Sequence, residues 1–344
     1  MGDSELDLSD GYAAGLLDGL GWIRLDVSEG LNADTYHVRP ELRLPTHGNP
    51  YLEGLLFEVL TGFGLDEADL RLADPSQGQA YVAVSRTGAF PTLRDRLAEH
   101  SALLVERVAF VAGTLESHAR RELSPTETVA YLQAAAEMRH GWTPRSRRMS
   151  AVQPETVVDE HGLDGRAIDP LPVPTPAMRA EPSAAYVGGV TDALARLGLS
   201  IAEKPGSPAG HSIYPRVDLT RAGVHPQFIR QVETFVTETT GAYEQSGSPT
   251  DLQLALNGAT SVRDFADAVL DATYATHERL AYLREEILPL FAEEAYRSRE
   301  GFYAIVRRFE PIYREQGPGQ ERKYTPAYFE ERWADDLDLD LPEE

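Results

Sequence analysis

At 344 residues, with 42% hydrophobic and 25% charged residues, the chain is long enough to bury a core unaided, and its length suggests two domains. The absence of cysteine excludes disulfides, thiol nucleophiles and thiolate zinc sites together, and no apolar run approaches the roughly 20 residues of a membrane helix. Against 55 Asp and Glu stand 32 Lys and Arg, of which only Lys204 and Lys323 are lysine, for a net charge of -23; such a surface self-repels in dilute buffer but is screened in molar salt, where the Debye length falls to about 3 Å, so the balance reads as halophilic.

An acidic protein that avoids nucleic acid would have the same composition. Residues 1–10 are acidic and lack a basic stretch followed by an apolar one, so no secretory signal is expected and the location reads as cytoplasmic. A first helix follows, capped by Ser9 or Asp10, with Ala13, Ala14 and Gly15 on one small-residue face. Strands are predicted at 22–27 and 36–44; in HVRPELRL, Val38, Leu42 and Leu44 share one face, and His37, Arg39 and Arg43 the other. A helix at 50–61, a strand at 80–85 and helices to 138 complete this part. Ser124-Pro125-Thr126-Glu127 is a capping box with proline at the first helical position.

From 140 to 182 the composition changes. Pro170, Pro172, Pro174 and Pro176 alternate, which favours an extended linker without a packed core. The run from Arg139 to Arg148 is locally basic, with Trp142 as its one aromatic, and suits either a strand-binding arm or a solvated loop. Beyond it the earlier order returns: a helix from 184, strands at 199–202 and 212–219, a helix at 226–239, a strand at 252–256 and long helices through Tyr313. Thr325 is placed to cap a short last helix, with the nearby aromatics Tyr324, Tyr328 and Phe329 expected to dock on the fold, and the acidic tail from Ala334 is expected to be disordered.

The recurrence is an internal repeat. Tyr12, Gly15, Asp18 and Leu20 of GYAAGLLDGLG match Tyr186, Gly189, Asp192 and Leu194 of AYVGGVTDALA; VRPELRL around Pro40 meets IYPRVDL around Pro215; ERVAF from Glu106 meets ERLAY from Glu278. Three anchors in one order, at nearly constant spacing, divide the chain into a first module at 1–139, the linker at 140–182, a second module at 183–323, and a short helix with acidic tail at 324–344. Each module reads as helix, two strands, helix, one or two strands, then helices.

The small-residue helix of each copy, followed by paired strands, resembles the LAGLIDADG homing endonuclease family. In that family the helix ends in Asp-x-Asp-Gly, its small residues let two such helices pack closely, and the last acid serves catalysis. The resemblance implies an α/β (α+β) fold of two pseudo-twofold-related αββαβα modules, with mixed or antiparallel saddle sheets that have helices on one face, in a monomer. The first copy fits at every position but the metal-binding acid, which is Leu20; the second has Leu194 in the same place. Phosphodiester hydrolysis of this kind needs carboxylates to hold divalent cations, and leucine offers no ligand. Asp18 and Asp192 stand nearby, but one helical residue is a rotation of about 100°, which aims them elsewhere. Helix termination or packing explains them, as close packing explains Ala14, Gly15, Gly188 and Gly189.

The resemblance therefore implies a nuclease-degenerate protein that binds DNA or RNA in a regulatory or maturase-like role, with no cofactor. The alternatives are an active site-specific endonuclease using magnesium and relocated acids, and an acidic protein-interaction scaffold. Candidate nucleic-acid contacts are Arg24, His37, Arg39, Arg43, Arg71 and Arg86 in the first copy, and Lys204, His211, Arg216 and Arg221 in the second. Ion pairs of a solvated strand face, to Glu41 or Asp218, explain them equally well. No histidine pairing suggests zinc, and neither a phosphate loop nor a nucleophile elbow is present.

Overall fold

The computed structural model describes residues 8–30, 34–46, 49–73, 80–117, 122–137, 152–165, 167–169, 171–172, 182–224, 226–241, 243–245, 251–316 and 322–334. Helix α1 (Asp10–Leu20) leads into β1 (Trp22–Glu29), β2 (Tyr36–Pro45), α2 (Pro50–Gly62), β3 (Leu70–Leu72), β4 (Tyr81–Val84), α3 (Ala89–Leu97), α4 (Leu104–Ser117), β5 (Glu122–Leu123), α5 (Pro125–Glu137) and α6 (Pro154–His161). The repeat resumes with α7 (Ala184–Leu194), β6 (Ala195–Glu203), β7 (His211–Arg221), α8 (Pro226–Thr240), β8 (Glu244–Gln245) and β9 (Leu252–Asn257). It ends in α9 (Ala259–Val269), α10 (His277–Tyr282), α11 (Leu288–Ala292), α12 (Arg299–Glu315) and α13 (Pro326–Arg332).

Local chemistry sets the helix starts. Ser9 Oγ accepts from Tyr12 N at 3.2 Å and Ser183 Oγ from Tyr186 N at 3.1 Å, so the two small-residue helices are capped alike, by serine. At α5, Glu127 Oε2 accepts from Ser124 N at 2.8 Å while Ser124 Oγ accepts from Glu127 N at 3.3 Å, a closed capping box. Thr325 Oγ1 accepts from Tyr328 N at 3.3 Å at α13.

Two compact units form. The first takes in the described residues up to Ala193, with Arg221–Val232 and Ser248–Leu252, and therefore holds both α1 and α7. Its sheet is antiparallel in the order β1-β2-β4-β3, with β5 paired to β2. Ile23, Leu25 and Val27 of β1 and Tyr36, Val38, Leu42 and Leu44 of β2 are buried. Helix α1 packs on β2 and α3, α2 on β4, and α4 on β1. The opposite face is left open.

The stretch expected as a linker carries α6 within it. Val157 is fully buried, the Tyr36 hydroxyl lies 3.0 Å from His161 Nε2, and the helix ends at Gly162 in the left-handed conformation. Of the alternating prolines only Pro172 is described; Pro170, Pro174 and Pro176, the basic run from Arg139 to Arg148, and the acidic tail after Ala334 lie outside the described residues.

The second unit contains the sheet β6-β7-β9-β8. Its edge strand β6 is covered by α12: Tyr313 Oη accepts from Leu199 N at 2.8 Å, Gln316 Oε1 accepts from Leu197 N at 2.9 Å, and Gln316 Nε2 donates to Leu197 O at 2.9 Å. Side chains thus satisfy an edge that would otherwise offer a free ladder. Phe302 of α12 packs with Phe329 and Trp333 of the α13 segment at ring separations of 5.2 and 5.5 Å.

Candidate functional site: a helix seam and an arginine face

The first unit is organised around the contact of α1 with α7. Every residue of α1 from Gly11 to Leu20 is buried. A Cβ on Gly15 would sit 1.9 Å from Tyr186 O, and one on Gly189 would sit 2.1 Å from Tyr12 O. The two backbones therefore meet with no room for a side chain, and the contact is reciprocal. Gly19 belongs to the same seam, since its Cβ would lie 2.3 Å from that of Ala193. Ala14 and Gly188 are buried beside it.

The tyrosine one turn earlier in each helix reaches across. Tyr12 Oη donates to Asp192 Oδ2 at 2.7 Å and Tyr186 Oη to Asp18 Oδ2 at 2.8 Å. Burial first, and then the negative charge of Asp18, raise the Tyr186 phenol well above its ordinary pKa. Asp18 is wholly buried and fully engaged: it also accepts from Ser101 Oγ at 2.7 Å and from the backbone N–H of Ala102, Leu103 and Leu104 at 2.6, 3.1 and 2.9 Å. Those amides open α4, so Asp18 neutralises a helix N-terminus from a distant part of the chain. Arg107 is buried nearby and donates to Leu103 O at 2.5 Å. Desolvation lowers its guanidinium pKa to about 10 against the favourable charges of Glu106 and Asp18.

The open face of the first sheet is basic. Strand register sets Arg24 opposite Glu41, Asp26 opposite Arg39, and Arg43, Ala83 and Arg71 in one row. Arg24, Arg39, Pro40, Glu41, Arg43, Arg71, Ser85 and Thr87 line an open cavity of about 370 Å³. Glu41 Oε2 accepts from Arg43 Nε at 2.5 Å and Glu41 Oε1 from Arg71 Nη2 at 2.6 Å. The Arg43 guanidinium also lies 4.7 Å from the centre of the Tyr81 ring. Arg86 is apart from the cavity, paired with Asp69 at 3.2 Å, and His37 stands 3.9 Å from Glu122.

No family model matches the sequence, and no curated protein matches it. Solved structures do. The I-SmaMI LAGLIDADG homing endonuclease bound to cleaved DNA aligns over 92% of this chain and 99% of its own, with 11% identity and a TM-score of 0.66. The I-LtrWI LAGLIDADG homing endonuclease bound to target DNA aligns over 87% and 95%, with 12% identity and a TM-score of 0.64. The LAGLIDADG homing endonuclease I-GzeII in complex with its DNA target aligns over 92% and 100%, with 10% identity and a TM-score of 0.63. The chain has the LAGLIDADG homing endonuclease fold.

Within this LAGLIDADG fold, α1 closes on Leu20, which is 5% exposed, and α7 closes on the half-buried Leu194. Neither side chain offers an oxygen to a cation. Among the described residues no group of three or more His, Asp or Glu is placed to hold a metal ion.

Two residues expected on an open strand face are elsewhere. His211 is 4% exposed: it shares the inner face of β7 with Ile213, Val217 and Leu219, its Nδ1 lies 3.2 Å from Ala209 O, and the rings of Phe302, Tyr324, Tyr328, Phe329 and Trp333 surround it. Arg221, at the end of the same strand, turns inward and donates to Asp18 O and Gly21 O, so it caps the carboxyl end of α1. Burial lowers its guanidinium pKa to about 10, with Asp18 acting against the shift. Arg216 does face outward, paired with Asp218 at 2.6 Å, and Lys204 is exposed in the turn after β6. Tyr214 shares the outer face with Arg216 and is exposed.

Proposed function

We propose that this protein binds nucleic acid on the open face of its first sheet and does not cut it. The arginine-lined cavity carries this reading. In a chain of net charge -23, four arginines converge on one cavity, with Glu41 the one carboxylate among its described lining residues. Such a patch attracts phosphate oxygens, to which guanidinium forks are well matched. The solved structures of like fold, whose proteins are bound to DNA, support the same partner.

The negative half of the proposal rests on ligand chemistry. A divalent cation needs oxygen ligands, and the two helix ends hold leucine. Asp18 does not fit as a substitute, because its oxygens are already taken by five donors. The residues present do not fit a catalytic metal at α1. A regulatory or RNA-processing role accords with binding without cleavage.

Selection from random DNA and RNA pools, repeated from dilute to molar potassium chloride with magnesium present, tests both halves and also tests the halophilic reading of the composition. Enrichment over an equally acidic control protein, with the recovered strands intact, is expected. No enrichment at any salt removes the binding reading and favours a protein-interaction role. Defined breaks with magnesium or manganese would instead establish an active endonuclease.

A further inference from the structure

Glu41 bridges two arginines of the cavity. Its side chain is 12% exposed, and its two oxygens are divided between two guanidiniums: Oε2 takes Arg43 Nε at 2.5 Å, and Oε1 takes Arg71 Nη2 at 2.6 Å. This is how adjacent oxygens of a phosphate are held between arginines. Arg43 is fixed further by the Tyr81 ring. The four cavity arginines thus divide into two kinds. Arg43 and Arg71 are tied to Glu41, whereas Arg24 and Arg39, both exposed, form no ion pair with Glu41. The second repeat keeps the pair with its charges exchanged, Arg216 and Asp218 standing where VRPELRL has Glu41 and Arg43.

We propose that Glu41 is an internal counter-ion that occupies a phosphate subsite of this cavity, so that Arg24 and Arg39 carry its anion affinity and Glu41 limits it. The role in nucleic-acid selection rests on the function proposed above; the anion subsite itself does not.

The test uses the full chain and two probes. Inorganic pyrophosphate, titrated calorimetrically without metal, should bind Glu41→Gln at least about tenfold more tightly than wild type, and adding Arg71→Ala should remove that gain. With a selected nucleic acid, each phosphate contact contributes about 0.9 to the slope of log affinity against log salt. Glu41→Gln should steepen the slope by about one contact or more. In the otherwise wild-type chain, Arg71→Ala should leave the slope nearly unchanged while Arg39→Ala lowers it by about one contact. The second comparison stands even where the Glu41 variant fails to fold.

Equal pyrophosphate affinity in wild type and a folded Glu41→Gln, or equal slope losses for Arg71→Ala and Arg39→Ala, would overturn the proposal. A gain in pyrophosphate binding with no nucleic-acid binding at any salt supports the subsite and removes the proposed function. Nucleic-acid binding indifferent to Glu41 and a pyrophosphate affinity that does not change do the reverse.

Discussion

Replacing Asp18 by asparagine isolates the junction that holds α1, α4 and α7 together. The carboxylate accepts five hydrogen bonds, from Ser101 Oγ, three α4 amides and the Tyr186 hydroxyl. Asparagine keeps one acceptor oxygen and turns an NH2 group toward donors, so at least two donors lose their partner. Each buried donor left unmade costs about 1–3 kcal/mol. The negative charge at the α4 N-terminus is worth a further ~0.5–1 kcal/mol, and the enclosed guanidiniums of Arg107 and Arg221 lose a neighbouring anion. Allowing for non-additivity, Asp18→Asn should destabilise the first unit by about 4 kcal/mol. Urea unfolding followed by far-ultraviolet circular dichroism measures it, with Tyr186→Phe, which removes one of the five bonds, expected at about 1–2 kcal/mol. An Asp18→Asn loss below about 1 kcal/mol would refute the view that this aspartate is a buried structural anion.

Other perturbations bear on separate links. Gly15→Ala puts a carbon 1.9 Å from Tyr186 O, and because the obstacle is backbone, the seam must open; a loss of about 3 kcal/mol or more is expected in the same urea assay. Tyr131 stacks on Phe110 at 5.0 Å, with a buried hydroxyl that has no hydrogen-bond partner among the described residues, so Tyr131→Phe should stabilise by about 1 kcal/mol. Burial raises the Tyr131 pKa above the ordinary 10.0, so its contribution is full below pH 10 and is lost as pH rises further; urea midpoints on either side of pH 10 should fall less in Tyr131→Phe than in wild type. Thr325→Ala removes the α13 cap and should raise hydrogen exchange there by about 1 kcal/mol equivalent, leaving α1 unchanged.

The legible parts of the chain are those whose chemistry is local or repeated. Alternation is plain in β2 and β7, because one face of each is buried and the other more open, whereas β4 and β9 read as short apolar runs whose consecutive residues are buried. The tyrosines of the two motif helices aligned because their hydroxyls perform the same task on opposite aspartates. Strands β3, β5 and β8, of two or three residues, are too short to show a period, and α6 was hidden by the prolines around it.

His211 and Arg221 depart from the expectation for a different reason: their charge suggests a solvent face, yet both share the odd-numbered face of β7 with buried Ile213, Val217 and Leu219. Parity along the strand carried the correct signal. The partners of Asp18 lie 83 or more residues away, and no pattern in the motif could announce them. Ser85 and Thr87 of the cavity lack any charge that would have singled them out.

The α1–α7 seam also constrains how the two repeats can diverge. Gly15 has its clearance set by a carbonyl of α7, and Gly189 by a carbonyl of α1, so neither can enlarge unless the opposite helix retreats. The strand faces are free of this coupling: one has exchanged the order of its charges and gained an exposed tyrosine where the other has an arginine. Substitution can therefore remake what each repeat presents to solvent, while the glycine contacts of the seam admit change only in pairs.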